Sequence, residues 1–264
     1  MPEPTPMSDA EVRRQSGRRT RRSFLTGGIV GLAGLAGWQW LRTASLEEGI
    51  PWPLRRVLEL NERIAGAAFG PERLAPTFAA GAAAADMRIN GQLGLDEVDP
   101  ANWSLRVSSD GGAETQFSLA DVQRLPRTTM ITELRCIEGW SQVIAWGGVR
   151  LRDFMIRHRL GTRSGAVPDP VSRRDDLYRC VSLETPNGGY TVALDMASAL
   201  HPQTLLCDEM GNEPLTPKHG APLRLAIPVK YGIKSLKGIG RIRFTDVRPT
   251  DYWTSRGYDW YAGH

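Results

Sequence analysis

The sequence predicts a strand-rich α+β domain that follows an amino-terminal signal or anchor segment. Three observations carry that expectation. A basic stretch runs into an apolar one near the start, short apolar runs then alternate with turn residues, and only brief helical patterns interrupt them. The 264 residues, 41% of them hydrophobic, suffice for one large domain or two small ones with a proper core.

Residues 1–44 read as an export segment. Arg13, Arg14, Arg18, Arg19, Arg21 and Arg22 precede the mostly apolar run 24–41. At the junction, Thr20-Arg21-Arg22-Ser23-Phe24-Leu25 resembles the twin-arginine motif, with Arg21 and Arg22 as the pair. Such a signal is a receptor-read address for proteins that cross the membrane already folded, commonly with a cofactor in place, so a periplasmic location and a cofactor are both expected. Arg42-Thr43-Ala44 is a poor small-x-small cleavage site, and an apolar run of roughly 18 residues is just long enough to span a bilayer. Retention as an anchor is therefore open.

Residues 45–85 form a lead-in. A helical pattern covers 54–64, and the Ala/Gly-rich stretch 79–85 reads as a flexible joint. The main domain, 86–264, is expected to carry strands at 87–91, 103–108, 128–136, 178–185, 190–194, 204–210, 223–228 and 240–246. Asn187-Gly188 and Gly211-Asn212 suit hairpin turns between such runs. Ser118-Leu119-Ala120-Asp121 resembles a capping box, and Leu151, Phe154, Met155 and His158 share one helical face, with Gly161 as a stop. Strands without regular βαβ alternation define the α+β class, and no repeat or glycine-rich nucleotide loop is present.

Charge and cysteine content exclude several functions. The pI is about 9.1, yet the basic excess lies in the leader: without residues 1–44, the 33 Lys+Arg and 29 Asp+Glu become 26 of each. The balanced body argues against nucleic-acid binding, which needs a basic face. Three cysteines cannot all pair internally, and the spacing of Cys136, Cys180 and Cys207 fits no zinc ribbon or CxxC motif. Cys180 and Cys207 lie in apolar runs and are expected to fill the core, with a disulfide as the alternative.

Two constellations can carry chemistry. Strand alternation puts Met130, Thr132, Leu134 and Cys136 on one face, so Cys136 arrives at a strand end, before the turn Ile137-Glu138-Gly139-Trp140-Ser141. A thiolate held there, with a carboxylate two residues on, suits a soft ligand for a redox metal; a buried structural cysteine is the competing reading. The second is Pro217-Lys218-His219-Gly220-Ala221-Pro222-Leu223-Arg224 with Lys230-Tyr231-Gly232-Ile233-Lys234-Ser235-Leu236-Lys237-Gly238. Cationic side chains beside glycines that let a ligand approach the backbone resemble a phosphate cradle, against the alternative of a solvated loop.

With these motifs in order, the chain resembles the sulfite oxidase superfamily. Glu133-Leu134-Arg135-Cys136-Ile137-Glu138-Gly139-Trp140-Ser141, His201-Pro202, Gly220-Ala221-Pro222-Leu223-Arg224 and Lys230-Tyr231-Gly232-Ile233-Lys234 match it across about residues 86–264. Within it, the likeness is greatest to catalytic subunits of periplasmic molybdopterin-dependent methionine sulfoxide reductases. The resemblance implies the superfamily's molybdopterin-binding fold and a molybdenum-molybdopterin cofactor, with Cys136 on the metal and the catalytic Glu138 near it. It further implies that Thr185, His219, Arg224, Ser235, Leu236 and Lys237 contact the cofactor; His219 stands where those reductases have asparagine. They also carry an Asn-Phe-Tyr-type segment ahead of the domain, for which residues 45–85 offer only Asn61.

The function so implied is reduction of a sulfoxide or related oxide by oxygen-atom transfer. No CxxCH or iron–sulfur cysteine pattern is present, so a separate redox partner is expected, by analogy a haem-containing membrane protein. Alternatives are a sulfite dehydrogenase of the same fold, which Glu138 disfavours because sulfite is anionic, and a metal-free periplasmic binding module. A zinc hydrolase using Cys136 with His201 or His219 lacks paired-ligand spacing. The aromatic tail, Tyr252-Trp253 and Gly257-Tyr258-Asp259-Trp260-Tyr261, either walls the site or simply packs.

Overall fold

The computed structural model describes residues 9–95, 98, 99 and 101–264, with backbone alone at 9, 12–19 and 21. Of the twin-arginine pair, the Arg21 side chain thus lies outside the described residues. The chain divides into two compact units, Met1–Arg56 and Val57–His264.

The first unit is dominated by one long helix, α1 (Asp9–Thr43). Within it, Arg22–Thr43 is long and apolar enough to cross a membrane, with mean hydropathy 1.2 over its most apolar window and none of that window buried. Two short strands follow, β1 (Leu46–Glu47) and β2 (Ile50–Pro51), paired antiparallel through a turn at Glu48 and Gly49, both at positive φ. Helix α2 (Trp52–Ala68) starts here and continues into the second unit, covering the helix expected at 54–64.

The second unit continues with β3 (Leu105–Ser109), β4 (Thr115–Phe117), α3 (Leu119–Gln123), β5 (Arg127–Arg135), β6 (Ser141–Arg150), α4 (Leu151–His158), β7 (Cys180–Glu184), β8 (Thr191–Asp195), α5 (Met196–Ala199), β9 (Leu205–Met210), β10 (Glu213–Pro214), β11 (Arg224–Ala226) and β12 (Arg241–Thr245). One sheet runs β10-β9-β6-β5 with β11 also on β9; the other runs β4-β3-β12-β7-β8. All their pairings are antiparallel except β12 with β3. The mixed, strand-rich architecture is the α+β class the sequence predicts.

Both sheets and α4 meet in one core. Val149, Leu206 and Leu225 come from the first sheet, Leu105, Val181, Leu183 and Ile242 from the second, and Leu151, Phe154 and Met155 from the helix. The last three are completely buried, which is what their i, i+3, i+4 spacing dictates. Helix α4 stops at Arg159, whose left-handed φ of 54° ends it two residues before the expected Gly161. The Ser118 capping box forms as expected, as do the hairpins at Asn187-Gly188 and Gly211-Asn212.

Two sequence expectations are corrected, and one strand is added. Residues 79–85 are not a loose joint: Phe78 N–H donates to Ile131 O at 3.0 Å and Ala84 N–H to Val143 O at 2.9 Å, strapping the segment to the sheet. Residues 87–91 form no strand, because the Gln142 side chain satisfies that backbone instead. Its Oε1 accepts from Arg88 N–H at 3.0 Å and its Nε2 donates to Asp86 O at 2.8 Å. Strand β6 lies outside the expected set, and its Gly147-Gly148 pair forms a bulge in the register with β9. A Cβ on Gly148 would lie 2.1 Å from Leu206 O, so the two backbones approach only without a side chain.

Gly148→Ala should therefore lower stability by about 2–3 kcal/mol through forced separation of β6 and β9. A denaturant midpoint within error of the parent protein would show that the bulge tolerates a side chain.

Candidate functional site

The β5–β6 hairpin positions the thiol. Its ladder pairs Arg127↔Val149 through Arg135↔Ser141, and the chain reverses through residues 136–140. Cys136 N–H donates to Trp140 O at 2.9 Å and Gly139 N–H to Cys136 O at 3.1 Å, with Gly139 at φ 87°. Cys136 thus sits at a rigid hairpin tip. The neighbouring Arg135 is engaged by Glu133 at 2.8 Å and does not line the cavity.

Around the tip lies a cavity of about 200 Å³. Cys136, Glu138 and Trp140 form one wall, and Arg224, Ser235 and Lys237 line it too. Asn90 bridges thiol and carboxylate: its Nδ2 lies 3.5 Å from Cys136 Sγ and 3.4 Å from Glu138 Oε2. Trp140 Nε1 donates to the same Oε2 at 3.0 Å.

Arg224 has 2% of its surface exposed and, among the described residues, no carboxylate partner. Its Nη1 donates to His219 O at 3.0 Å and Nη2 to Ser235 O at 3.4 Å, the guanidinium lies 4.9 Å from the Trp146 ring centre, and Nε has no acceptor. Burial pulls its pKa down to about 10, so it stays charged at neutral pH. Lys237 Nζ donates to Asn90 O at 2.5 Å, Gly91 O at 3.0 Å and Lys218 O at 3.2 Å. Burial, then the Arg224 charge, lowers the pKa of Lys237 to about 8, while those carbonyls favour the ammonium form.

Not every cation of the expected cradle reaches the cavity. Lys234 is buried against Asp251 at 2.7 Å, and Lys230 points at the Tyr261 ring, 2.8 Å from its centre, with Asp195 at 3.8 Å. Both hold the carboxy-terminal tail. The tail itself does two things: Trp253 and Tyr258 wall the cavity, while Trp260 and Tyr261 are buried. Trp253 Nε1 donates to Tyr190 Oη at 2.9 Å, which donates to Ile233 O at 2.8 Å. Burial and Asp251 raise the Tyr190 pKa, keeping the hydroxyl protonated.

Of the residues expected on cofactor or metal, Cys136, Glu138, Arg224, Ser235 and Lys237 share the cavity; Thr185, His219 and Leu236 do not line it. Thr185 Oγ1 accepts from Tyr190 N–H at 3.1 Å, Leu236 O from Leu225 N–H at 2.8 Å, and His219 supports Arg224. Burial and the Arg224 and Lys237 charges lower the His219 pKa, so the ring is neutral at pH 7, and its Nδ1 is buried without a partner. Asn61 is exposed on α2 and away from the cavity; Asn90 is the asparagine beside the thiol. Its signal was the Asn90-Gly91 dipeptide, a turn signature that argues against a strand there. Cys180 and Cys207 are buried, unpaired core residues.

The family model described as oxidoreductase molybdopterin binding domain matches residues 92–253, a span containing all the cavity residues except those at 88–91 and Tyr258. The chain belongs to that family. It is a molybdopterin oxidoreductase of the sulfite oxidase type. An Azospira oryzae protein provisionally named protein-methionine-sulfoxide reductase subunit YedZ1 is 29% identical over 92% of this chain and 86% of its own length. The protein-methionine-sulfoxide reductase catalytic subunit MsrP of Xanthomonas campestris is 34% identical over 61% of this chain. The match spans 53% of that relative's length. Among solved structures, the sulfane dehydrogenase SoxCD from Paracoccus pantotrophus aligns with TM-score 0.47 and 17% identity over 58% of this chain and 41% of that one.

The molybdopterin group fits the residues present. A buried guanidinium without a carboxylate calls for an anion such as the pterin phosphate, and a half-buried thiol at a rigid turn offers a soft metal ligand.

Metal-free protein at pH 8 should react with a thiol reagent at one cysteine. Burial raises the thiol pKa of Cys180 to about 11 and of Cys207 to about 12, so both remain protonated as well as enclosed. Cys136→Ser should abolish the native reaction and leave two thiols that appear on unfolding. Rapid labelling of two or more thiols in the folded parent would contradict this assignment.

Proposed function

We propose that the protein is an exported catalytic subunit that reduces a sulfoxide or related oxide, using electrons from a separate redox partner. One observation carries the reading: the half-buried thiol Cys136 shares a cavity with Glu138 and with the buried, carboxylate-free Arg224. The names of the relatives, which specify methionine sulfoxide in proteins, support the substrate class.

Cys136 would ligate molybdenum, and Arg224, Ser235 and Lys237 would hold the pterin and its phosphate. His219, Leu236 and Thr185 act one layer back, through Arg224, Leu225 and Tyr190. When bound, the group supplies two-electron oxygen-atom transfer, and the net reaction joins a sulfoxide, two electrons and two protons to give a sulfide and water. The remaining work belongs to side chains. Asn90 Nδ2 and Trp140 Nε1 both donate to Glu138 Oε2, which fixes the carboxylate and leaves Oε1 free to pass a proton to the departing oxygen. Leu93, Trp140, Trp253 and Tyr258 give the cavity an apolar lining that excludes water and accepts a thioether. Glu138 opposes a dianion such as sulfite.

The apolar helix Arg22–Thr43 and the motif at Thr20 to Leu25 support twin-arginine export with residues 24–41 kept as an anchor. Residues 1–44 then serve targeting and the remainder catalysis. A haem-containing membrane protein is the donor this arrangement suits.

Protein exported from a pterin-making bacterium should contain about one molybdenum per chain, as expected of a single thiolate site. Cys136→Ala should remove it, and zinc in its place would defeat the proposal. With artificial electron dyes, sulfoxide reduction should exceed sulfite oxidation; the reverse ratio would make the protein a sulfite dehydrogenase.

A further inference from the structure

Helix α2 is amphipathic in the wrong sense for a helix whose only task is packing. Its apolar residues Val57, Leu60 and Ile64 are 54%, 53% and 61% exposed. They fall at i, i+3 and i+7, one stripe along the helix. The opposite face carries polar groups that are held: Arg55 Nη2 donates to Glu48 O at 2.7 Å, and Glu62 pairs with Arg248 at 3.0 Å. Arg63 and Arg56, the latter paired with Glu47 at 2.7 Å, lie along one margin of the stripe, roughly a quarter-turn from its centre at 3.6 residues per turn. Apolar residues outward, with basic residues at the edge, is the pattern of a helix lying in a headgroup layer.

Chain connectivity says what covers the stripe. Only residues 44–51 separate the end of α1 from the start of α2. Fully extended, such a link reaches about 27 Å, and this one is folded back, with Leu46 paired to Pro51 and Trp52 N–H donating to Ser45 O at 3.0 Å. If Arg22–Thr43 spans a bilayer, the first turn of α2 is confined to the membrane surface. Trp40 and Trp52 stack edge-to-face there, 5.8 Å between ring centres, and tryptophan favours that interface.

We propose that α2 is a membrane-surface helix, with Val57, Leu60 and Ile64 among acyl chains and Arg63 at the phosphates of anionic lipids. This rests on the retained anchor proposed above. The helix gives the catalytic unit a second attachment, which restrains its rotation about a single tether.

Photocrosslinking of the full-length protein tests it. Benzoylphenylalanine replaces Leu60, Ile64, Leu32 or, as a control, Val171, which is 89% exposed on the catalytic unit. Membranes from producing cells are irradiated and adducts identified by mass. Positions 60 and 64 should give phospholipid adducts and position 171 none. Adding Leu60→Asp should reduce the adduct at 64 several-fold, and bilayer discs of phosphatidylcholine lacking phosphatidylglycerol should do so too. A protein adduct at 60 and 64, or no adduct there, overturns the proposal. Position 32 reports the anchor separately: lipid at 32 without lipid at 60 defeats the surface helix alone, whereas lipid at 60 without lipid at 32 retains it and defeats the anchor.

Discussion

Burial of the Arg224 charge is the constraint around which the cavity is organised. Removing a guanidinium from water costs several kcal/mol unless its protons find acceptors and its charge a counter-charge. The acceptors are present in part, as His219 O and Ser235 O, and the Trp146 ring face adds a favourable quadrupole. No carboxylate completes the set among the described residues. The two carbonyls come from different loops, so Arg224 ties the turn at Pro217–His219 to the segment that carries Ser235 and Lys237. Electrostatic need and loop geometry are therefore met by the same side chain. An anion in the cavity would lower the energy of the fold and be held by it.

The thiol stands on an unrelated element, and this separation gives the site its rigidity. Cys136 is fixed by a ten-residue strand, β6, and its partner β5, while the cationic wall comes from β11 and the loops around it. Lys237 joins the two sides indirectly. By holding the carbonyls of Asn90 and Gly91, it places the Asn90 amide against both Cys136 and Glu138. A residue that reads in sequence as one more phosphate-binding charge acts here as a clamp on the Asn90-Gly91 turn.

The legible part of the protein is that which depends on local pattern. Strand runs, the Ser118 cap, the α4 stripe and both hairpins follow from periodicity and turn chemistry, which neighbouring residues settle among themselves. The chemistry-bearing motifs were legible for the same reason, being short and contiguous around Cys136, Glu138 and Arg224. What sequence reading missed depends on distant partners. The Gly147-Gly148 bulge is intelligible only against Leu206, while residues 79–85 read as loose and 87–91 as a strand until the sheet edge and Gln142 are in place beside them. Asn90 escaped for that reason: nothing local links it to a cysteine 46 positions away.

The lysines show most directly why composition cannot decide a site. Lys230, Lys234 and Lys237 occur within eight residues, and each is a chemically suitable phosphate ligand. Backbone direction assigns them differently. The 3-10 turn at Gly232–Lys234 sends Lys234 inward to Asp251, whose Oδ2 also accepts from Ala193 N–H at 3.0 Å and whose Oδ1 accepts from Trp253 N–H at 3.0 Å. Breaking such a fully buried pair by removing one partner costs about 3–5 kcal/mol. The pair therefore fixes the start of the tail, and with it the Trp253 ring on the cavity wall. Charge that appears available for a ligand instead determines the shape of the pocket the ligand would enter.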